Sequence, residues 1–269
     1  MLNPPIGALK RNNVHVSGNA NGPALVFAHG FGGSQQTWRF VAPSFEADHT
    51  IVLFDHVGAG ESDVSTYDRA KYDSLHGYAD DIIEIIEALD LSDVVFIGHS
   101  VSSMMGVLAA NRRPDLISRL VLVGPSARYI DDGDYVGGFS QQDIDDLLDS
   151  MDSNYLSWSS SIARTIMGNP ERPELGDDLS KSIGAVDPRV AAQFARVTFL
   201  SDNRRDLPDV TAPTLILQSE EDAIASLPVG EYVHHHIRGS EFVVMPTRGH
   251  IPNLSHPQEL IVHLRRYLS

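Results

Sequence analysis

Short apolar runs closed by turn residues alternate along this chain with stretches whose apolar side chains recur every three or four positions. The runs lie at 24–28 (ALVFA), 50–54 (TIVLF), 94–97 (VVFI), 120–123 (LVLV), 214–218 (TLILQ) and 242–245 (FVVM). Continuous runs of this length predict strands buried on both faces. Leu75, Tyr78, Ala79, Ile82, Ile85, Ile86 and Leu89 follow a helical period and predict an amphipathic helix over 74–90. Further helices are expected over 101–111, stopping before Pro114, and over 227–237 and 257–268. Strands alternating with helices imply an α/β class with a mainly parallel, doubly wound sheet.

Between 131 and 200 the strand pattern disappears. Ser140 with Asp143 forms an N-terminal capping signature for a helix reaching Met151. Two more helical stretches follow at 154–167 and 173–183, and Asp187-Pro188 opens a fourth that reaches Leu200. The expected organisation is a core of residues 1–130 and 201–269, with a helical lid of residues 131–200 inserted over the C-terminal edge of its sheet.

Composition narrows the partners. Against 36 acidic residues stand only 20 basic ones, a formal charge of −16, which argues against nucleic acid and anionic membrane surfaces. Cysteine is absent, so disulfides and thiol chemistry are excluded. The N-terminal stretch MLNPPIGALKRNN has no apolar core of a signal peptide, and no apolar run approaches a membrane span. A soluble cytoplasmic protein is expected.

The candidate chemistry sits at strand ends, where open α/β sheets bind ligands. GHSVS at 98–102 is one residue from the G-x-S-x-G elbow, with Ser102 where glycine is usual, and it stands between a strand and a helix. By itself the pentapeptide fits a tight structural turn equally well. Asp222 follows the strand at 214–218, and His250 follows the last strand. The order Ser100, Asp222, His250 supplies a nucleophile, a carboxylate to orient an imidazole, and the imidazole that takes the serine proton. Glu220, Glu221, Asp206 and Asp209 compete with Asp222, and Glu221 is the first substitute. His234, His235 and His236 read as an exposed helix end rather than a metal site. An oxyanion hole would use the backbone N–H groups of Phe31, in AHGFGG, and of Val101. The glycine-rich loop 55–63 (DHVGAGESD) lacks the features of a nucleotide cradle and reads as structural.

Together, HGFGG, the D-x-x-G-x-G-x-S-D loop, GHSVS and the late Asp and Gly-His resemble the α/β-hydrolase superfamily over essentially the whole length. GHSVSSMMG, NRRPDLISRLVLVGPSARYIDD, DYVGGF and QFARVTFLSDNR are similar to the branch of the bacterial stress regulator RsbQ and the plant strigolactone and karrikin receptors. That resemblance implies an α/β-hydrolase fold with a four-helix, V-shaped lid, a Ser100–His250–Asp222 triad and an apolar pocket for a small hydrophobic ligand. Phe31, Phe139, Trp158, Ile162 and Phe194 are the pocket candidates by position, with lid-to-core packing as their alternative role. No metal and no organic cofactor is required. The expected function is hydrolysis of small apolar esters or lactones. The alternative is a ligand sensor that signals to a phosphatase-type regulatory protein. A cofactor-free haloperoxidase or a carbon–carbon bond hydrolase would share the triad.

Overall fold

A computed structural model describes residues 7–269, so the first six residues of the N-terminal stretch read above lie outside it. Seven strands form one sheet: β1 (His15–Gly18), β2 (Ala24–Ala28), β3 (Thr50–Leu53), β4 (Val94–His99), β5 (Ile117–Val123), β6 (Thr214–Glu221) and β7 (Glu241–Arg248). Their spatial order is β1-β3-β2-β4-β5-β6-β7, parallel throughout except that β1 runs antiparallel to β3. The helices are α1 (Ala8–Arg11), α2 (Leu75–Ala88), α3 (Val101–Arg112), α4 (Gln141–Ser153), α5 (Tyr155–Met167), α6 (Pro173–Gly184), α7 (Pro188–Phe199), α8 (Leu227–His236), α9 (Pro252–Ser255) and α10 (Pro257–Leu268).

Alternation along each strand divides the core in two. Val26, Ala28 and Phe96 face one side, against Ile82 and Ile85 of α2 and Met104 of α3. Leu25, Phe27 and Ile97 face the other, against Trp38, Phe45 and Leu260 and Leu264 of α10. Both faces are covered, which is why the strands read as unbroken apolar runs.

Four strands are longer than their apolar runs, β4 among them, which runs on to His99. β5 starts three residues before 120, at Ile117. β6 and β7 run on to Glu221 and Arg248, paired through Ser219↔Met245 and Glu221↔Arg248. There the ladder holds polar residues that burial would not have marked. β1 had no signal at all: every residue is exposed, and only its pairing with β3 makes it a strand.

Helices α4–α7 fill the interval between β5 and β6. Ser140 and Asp143 form the capping box of α4, and the Asp187 side chain caps α7 by accepting from the Arg189 amide. Their apolar faces make one cluster that also takes in Tyr129, Ile224, Ile251 and Leu254 from the core. At its base, a bridge between Arg128 and Asp202 joins the two chain segments, with Arg128 Nη1 2.8 Å from Asp202 Oδ2. Among the described residues no helix is long and apolar enough to cross a membrane.

Candidate active site

Ser100 stands on the turn from β4 into α3. Ser100 takes φ 57° and ψ −124°, a backbone geometry a side chain rarely adopts, and its amide donates to Val123 O on the neighbouring strand at 2.8 Å. Such strain survives where surrounding structure over-determines it. The first glycine of the elbow is sterically required. A Cβ on Gly98 would come within 2.5 Å of Ser102 O and 2.8 Å of the Ser103 amide. Gly30, on the facing loop, is required too, since a Cβ there would meet His99 Nδ1 at 2.7 Å and Ser100 Cβ at 3.0 Å.

Three side chains from three strand ends meet here. Ser100 Oγ lies 2.7 Å from His250 Nε2, and His250 Nδ1 lies 2.7 Å from Asp222 Oδ2. The second carboxylate oxygen of Asp222 accepts from the Ile224 and Ala225 amides at 2.8 and 3.0 Å. Burial works against the Asp222 charge, but the attraction of His250 and these hydrogen bonds outweigh it and hold the carboxyl below its ordinary range. The rival carboxylates lie elsewhere. Glu221 is exposed and pairs with Arg248 at 3.1 Å, and Asp206 accepts from Asn203 Nδ2 at 3.1 Å. The histidines at the end of α8 bond locally, His234 to Ser240 Oγ and His236 to Tyr232 O.

The His250 backbone is fixed from two directions. Its amide donates to Ile166 O of α5 at 2.9 Å, and its carbonyl accepts from His99 Nε2 at 2.7 Å. His99 is completely enclosed; burial and the neighbouring His250 push its pKa down to about 3, so it stays a neutral donor. The Phe31 and Val101 amides have no protein acceptor among the described residues. Val101 opens α3, where helix N–H groups are free of intrahelical partners.

The space above Ser100 is small, about 20 Å³, and is lined by Phe31, Tyr129, Ile166, Phe199, Ile224 and Ile251 among others. That is room for water and not for an ester. Of the five pocket candidates only Phe31 borders this space. Phe194 packs on the far side of Phe31, ring centroids 5.5 Å apart, and lines a separate cavity of about 10 Å³. Trp158 meets Phe31 edge-on at 6.2 Å and stacks on Tyr155. Phe139 and Ile162 pack into the helical cluster and do not reach Ser100. The residues missed include Tyr129, whose hydroxyl is 3.5 Å from Ser100 Oγ, Phe199, and the isoleucines Ile166, Ile224 and Ile251. Burial pushes the Tyr129 phenol up to about 12, so it remains neutral. Its place just beyond β5 was a usable signal, since the other site residues also follow strands.

A larger cleft of about 820 Å³ opens at the surface between α6, the α6–α7 turn and the loops around Arg39 and Gly58, and contains none of the three polar residues. The cavities nevertheless lie in series. Gly58 and Val186 border both the cleft and the 10 Å³ cavity, and Phe31 borders both that cavity and the one at Ser100.

Comparison with known proteins agrees with this architecture. The model of the alpha/beta hydrolase family matches residues 25–263. A probable esterase of rice (Oryza sativa subsp. japonica) is 40% identical over 96% of this chain and 95% of its own length. A karrikin insensitive 2 receptor of Petunia hybrida is 38% identical over 96% of this chain and 95% of its own. A solved hydrolase of Oleispira antarctica superposes with a TM-score of 0.94 at 38% identity, covering 97% of this chain and 96% of that one.

Proposed function

The chain belongs to the α/β-hydrolase family, and from that premise we propose that it is a serine hydrolase of small apolar esters or lactones. The observation that carries this reading is the unbroken chain from Ser100 Oγ through His250 to Asp222, two contacts of 2.7 Å each. Ser100 Oγ attacks the substrate carbonyl carbon as its proton passes to His250 Nε2. Asp222 holds Nδ1–H and stabilises the imidazolium. The Phe31 and Val101 amides donate to the tetrahedral oxyanion. His250 then gives its proton to the departing alkoxide, leaving an acyl group on Ser100; in a lactone the alkoxide stays tethered. Water, deprotonated by His250, attacks the acyl carbon, and the acid leaves as Ser100 recovers its proton. The names of the rice and Oleispira relatives support hydrolysis.

Residues 131–200 act as a lid in this reading. Entry follows the cavities in series, from the outer cleft past Gly58 and Val186, and it requires the Phe31 ring to swing aside. A pocket lined by aliphatic and aromatic groups and bordered by one neutral phenol selects small apolar ligands. A chain without cysteine fits the reducing cytoplasm.

A second reading, ligand sensing, is favoured by the size of the cavity. A space of about 20 Å³ cannot admit a ligand without moving the roof, so occupancy changes the surface the helices present. The Petunia relative is named a receptor, and a phosphatase-type regulatory protein is the partner class this reading takes. Hydrolysis of p-nitrophenyl acetate by the wild type and Ser100→Ala tests the first reading. Turnover in the wild type and a loss of at least about a thousandfold in the variant are expected. Equal rates would end the hydrolase reading and leave the sensor.

A further inference from the structure

Ser102 occupies the elbow position where the general pattern has glycine, and its side chain is fully buried. Its hydroxyl lies 2.5 Å from the His29 carbonyl oxygen and 2.7 Å from His56 Nε2. A carbonyl can only accept, so the Ser102 proton points at His29 O. His56 Nε2 must then carry the proton that Ser102 Oγ accepts. The His56 amide donates to His29 Nε2 at 3.1 Å, which leaves that nitrogen without a proton. The His29 proton therefore sits on Nδ1, which donates to Gly30 O at 2.8 Å. Every hydrogen in the chain has one consistent place, and both rings are enclosed.

This chain ends on the proposed oxyanion amide. The Gly30 carbonyl and the Phe31 N–H belong to one planar peptide and point in opposite directions. Gly30 O is held by His29 Nδ1–H and by the Gly33 amide at 3.2 Å. The peptide before it is held through His29 O by Ser102 and by His56 Nε2 at 3.1 Å. Two successive peptide planes leading to Phe31 N are thus pinned, and the hydroxyl at 102 is the link between them and α3, the helix that follows Ser100.

We infer that Ser102 is a positioning residue for the oxyanion hole: through His29 and His56 it fixes the direction of the Phe31 amide relative to Ser100. The inference rests on the hydrolase reading for its kinetic consequence and on the hydrogen-bond chain alone for its structural one. Ser102 touches no substrate. A glycine in its place would keep the turn but drop both bonds, leaving the loop to be oriented by other means.

The test compares wild type with Ser102→Ala, Ser102→Gly and Ser102→Thr, using p-nitrophenyl acetate and a trifluoromethyl ketone whose serine adduct carries an oxyanion. In the Ala and Gly variants kcat is expected to fall by about 10- to 100-fold with KM nearly unchanged, less than the loss of a whole oxyanion donor. Affinity for the ketone falls by the same factor, and Ser102→Thr recovers most of both. A kcat in Ser102→Ala within about twofold of wild type, or a ketone affinity that does not follow kcat, overturns the inference. Independently of turnover, 15N NMR of the wild type should show His29 neutral with its proton on Nδ1 and His56 neutral with its proton on Nε2. The opposite tautomer in either ring overturns it, even if the variants fail to fold. A wild type without Ser100-dependent turnover would defeat the hydrolase reading instead, and the NMR result would still decide the hydrogen-bond chain.

Discussion

Below Ser100, the polar groups meet partners in fixed directions: His250 between Asp222 and Ser100, His99 on the His250 carbonyl, and two amides on the Asp222 carboxylate. Above it, Phe31, Phe199 and Ile166 close the space by apolar contact, with Trp158 and Phe194 packed behind Phe31. The floor and the roof differ in the kind of force that holds them. Hydrogen bonds have directions and fail when a group is turned, so the floor suits chemistry that needs angles kept. Dispersion and burial have little direction, so the roof can repack around a ligand at moderate cost. The two are not independent. The amide of His250 is held by Ile166 O of α5, so a large displacement of that helix would reach the floor.

The floor should break most sharply at Asp222. Asp222→Asn keeps the shape but no longer holds His250 in its working tautomer, so kcat for p-nitrophenyl acetate should fall by roughly a thousandfold or more. Circular dichroism should show the fold retained; an unchanged kcat would mean that the carboxylate only supports structure. The roof should respond differently. Phe199→Ala removes a buried ring and should cost about 3 kcal/mol in urea unfolding. At the same time activity on p-nitrophenyl hexanoate should rise relative to acetate, because the ring's volume becomes available to the acyl chain. A stability loss without a shift in chain-length preference would remove Phe199 from the substrate space.

The smallest effect belongs to the base of the helical cluster, where Arg128 and Asp202 bridge the chain segments that lead into and out of it. The Arg204 guanidinium, bonded to Asp202, holds that carboxyl at about 2 against an ordinary 3.8. A depressed carboxyl contributes stability that is complete above 3.8 and lost as the pH falls from 3.8 to 2. Asp202→Asn should therefore lower stability by under about 1 kcal/mol at neutral pH, since the pair is partly exposed and screened. The difference from wild type should shrink as urea midpoints are taken at falling pH through that window. A difference that stays constant with pH would assign the effect to packing.

The central strands were legible because both faces of the sheet are buried there, which writes each of them as an apolar run with turn residues close behind it. Ser100, Asp222 and His250 each stand just past such a run, so their convergence followed from topology. Asp222 and Glu221 could not be separated by spacing, since both lie near the end of β6. The ladder to β7 carries Glu221 outward to Arg248, whereas Asp222 lies beyond the ladder and turns under His250. The pocket was less legible. Phe139, Trp158, Ile162 and Phe194 are apolar residues on or beside amphipathic helices, and periodicity tells which side of a helix is buried without telling what lies opposite it.

By itself the sequence determined the alternation of strands and helices, the four helices between β5 and β6, and the order of the three polar residues, because these depend on local period and on turn chemistry. Tertiary structure alone decided that β1 is a strand, that Asp222 rather than Glu221 faces His250, and that Phe31 and Phe199 rather than Phe139 border Ser100. It also gave Ser102 its partners, His29 and His56, which stand 73 and 46 positions away. Contacts between residues so far apart depend on the packing of whole elements, and no local pattern encodes their distance or direction.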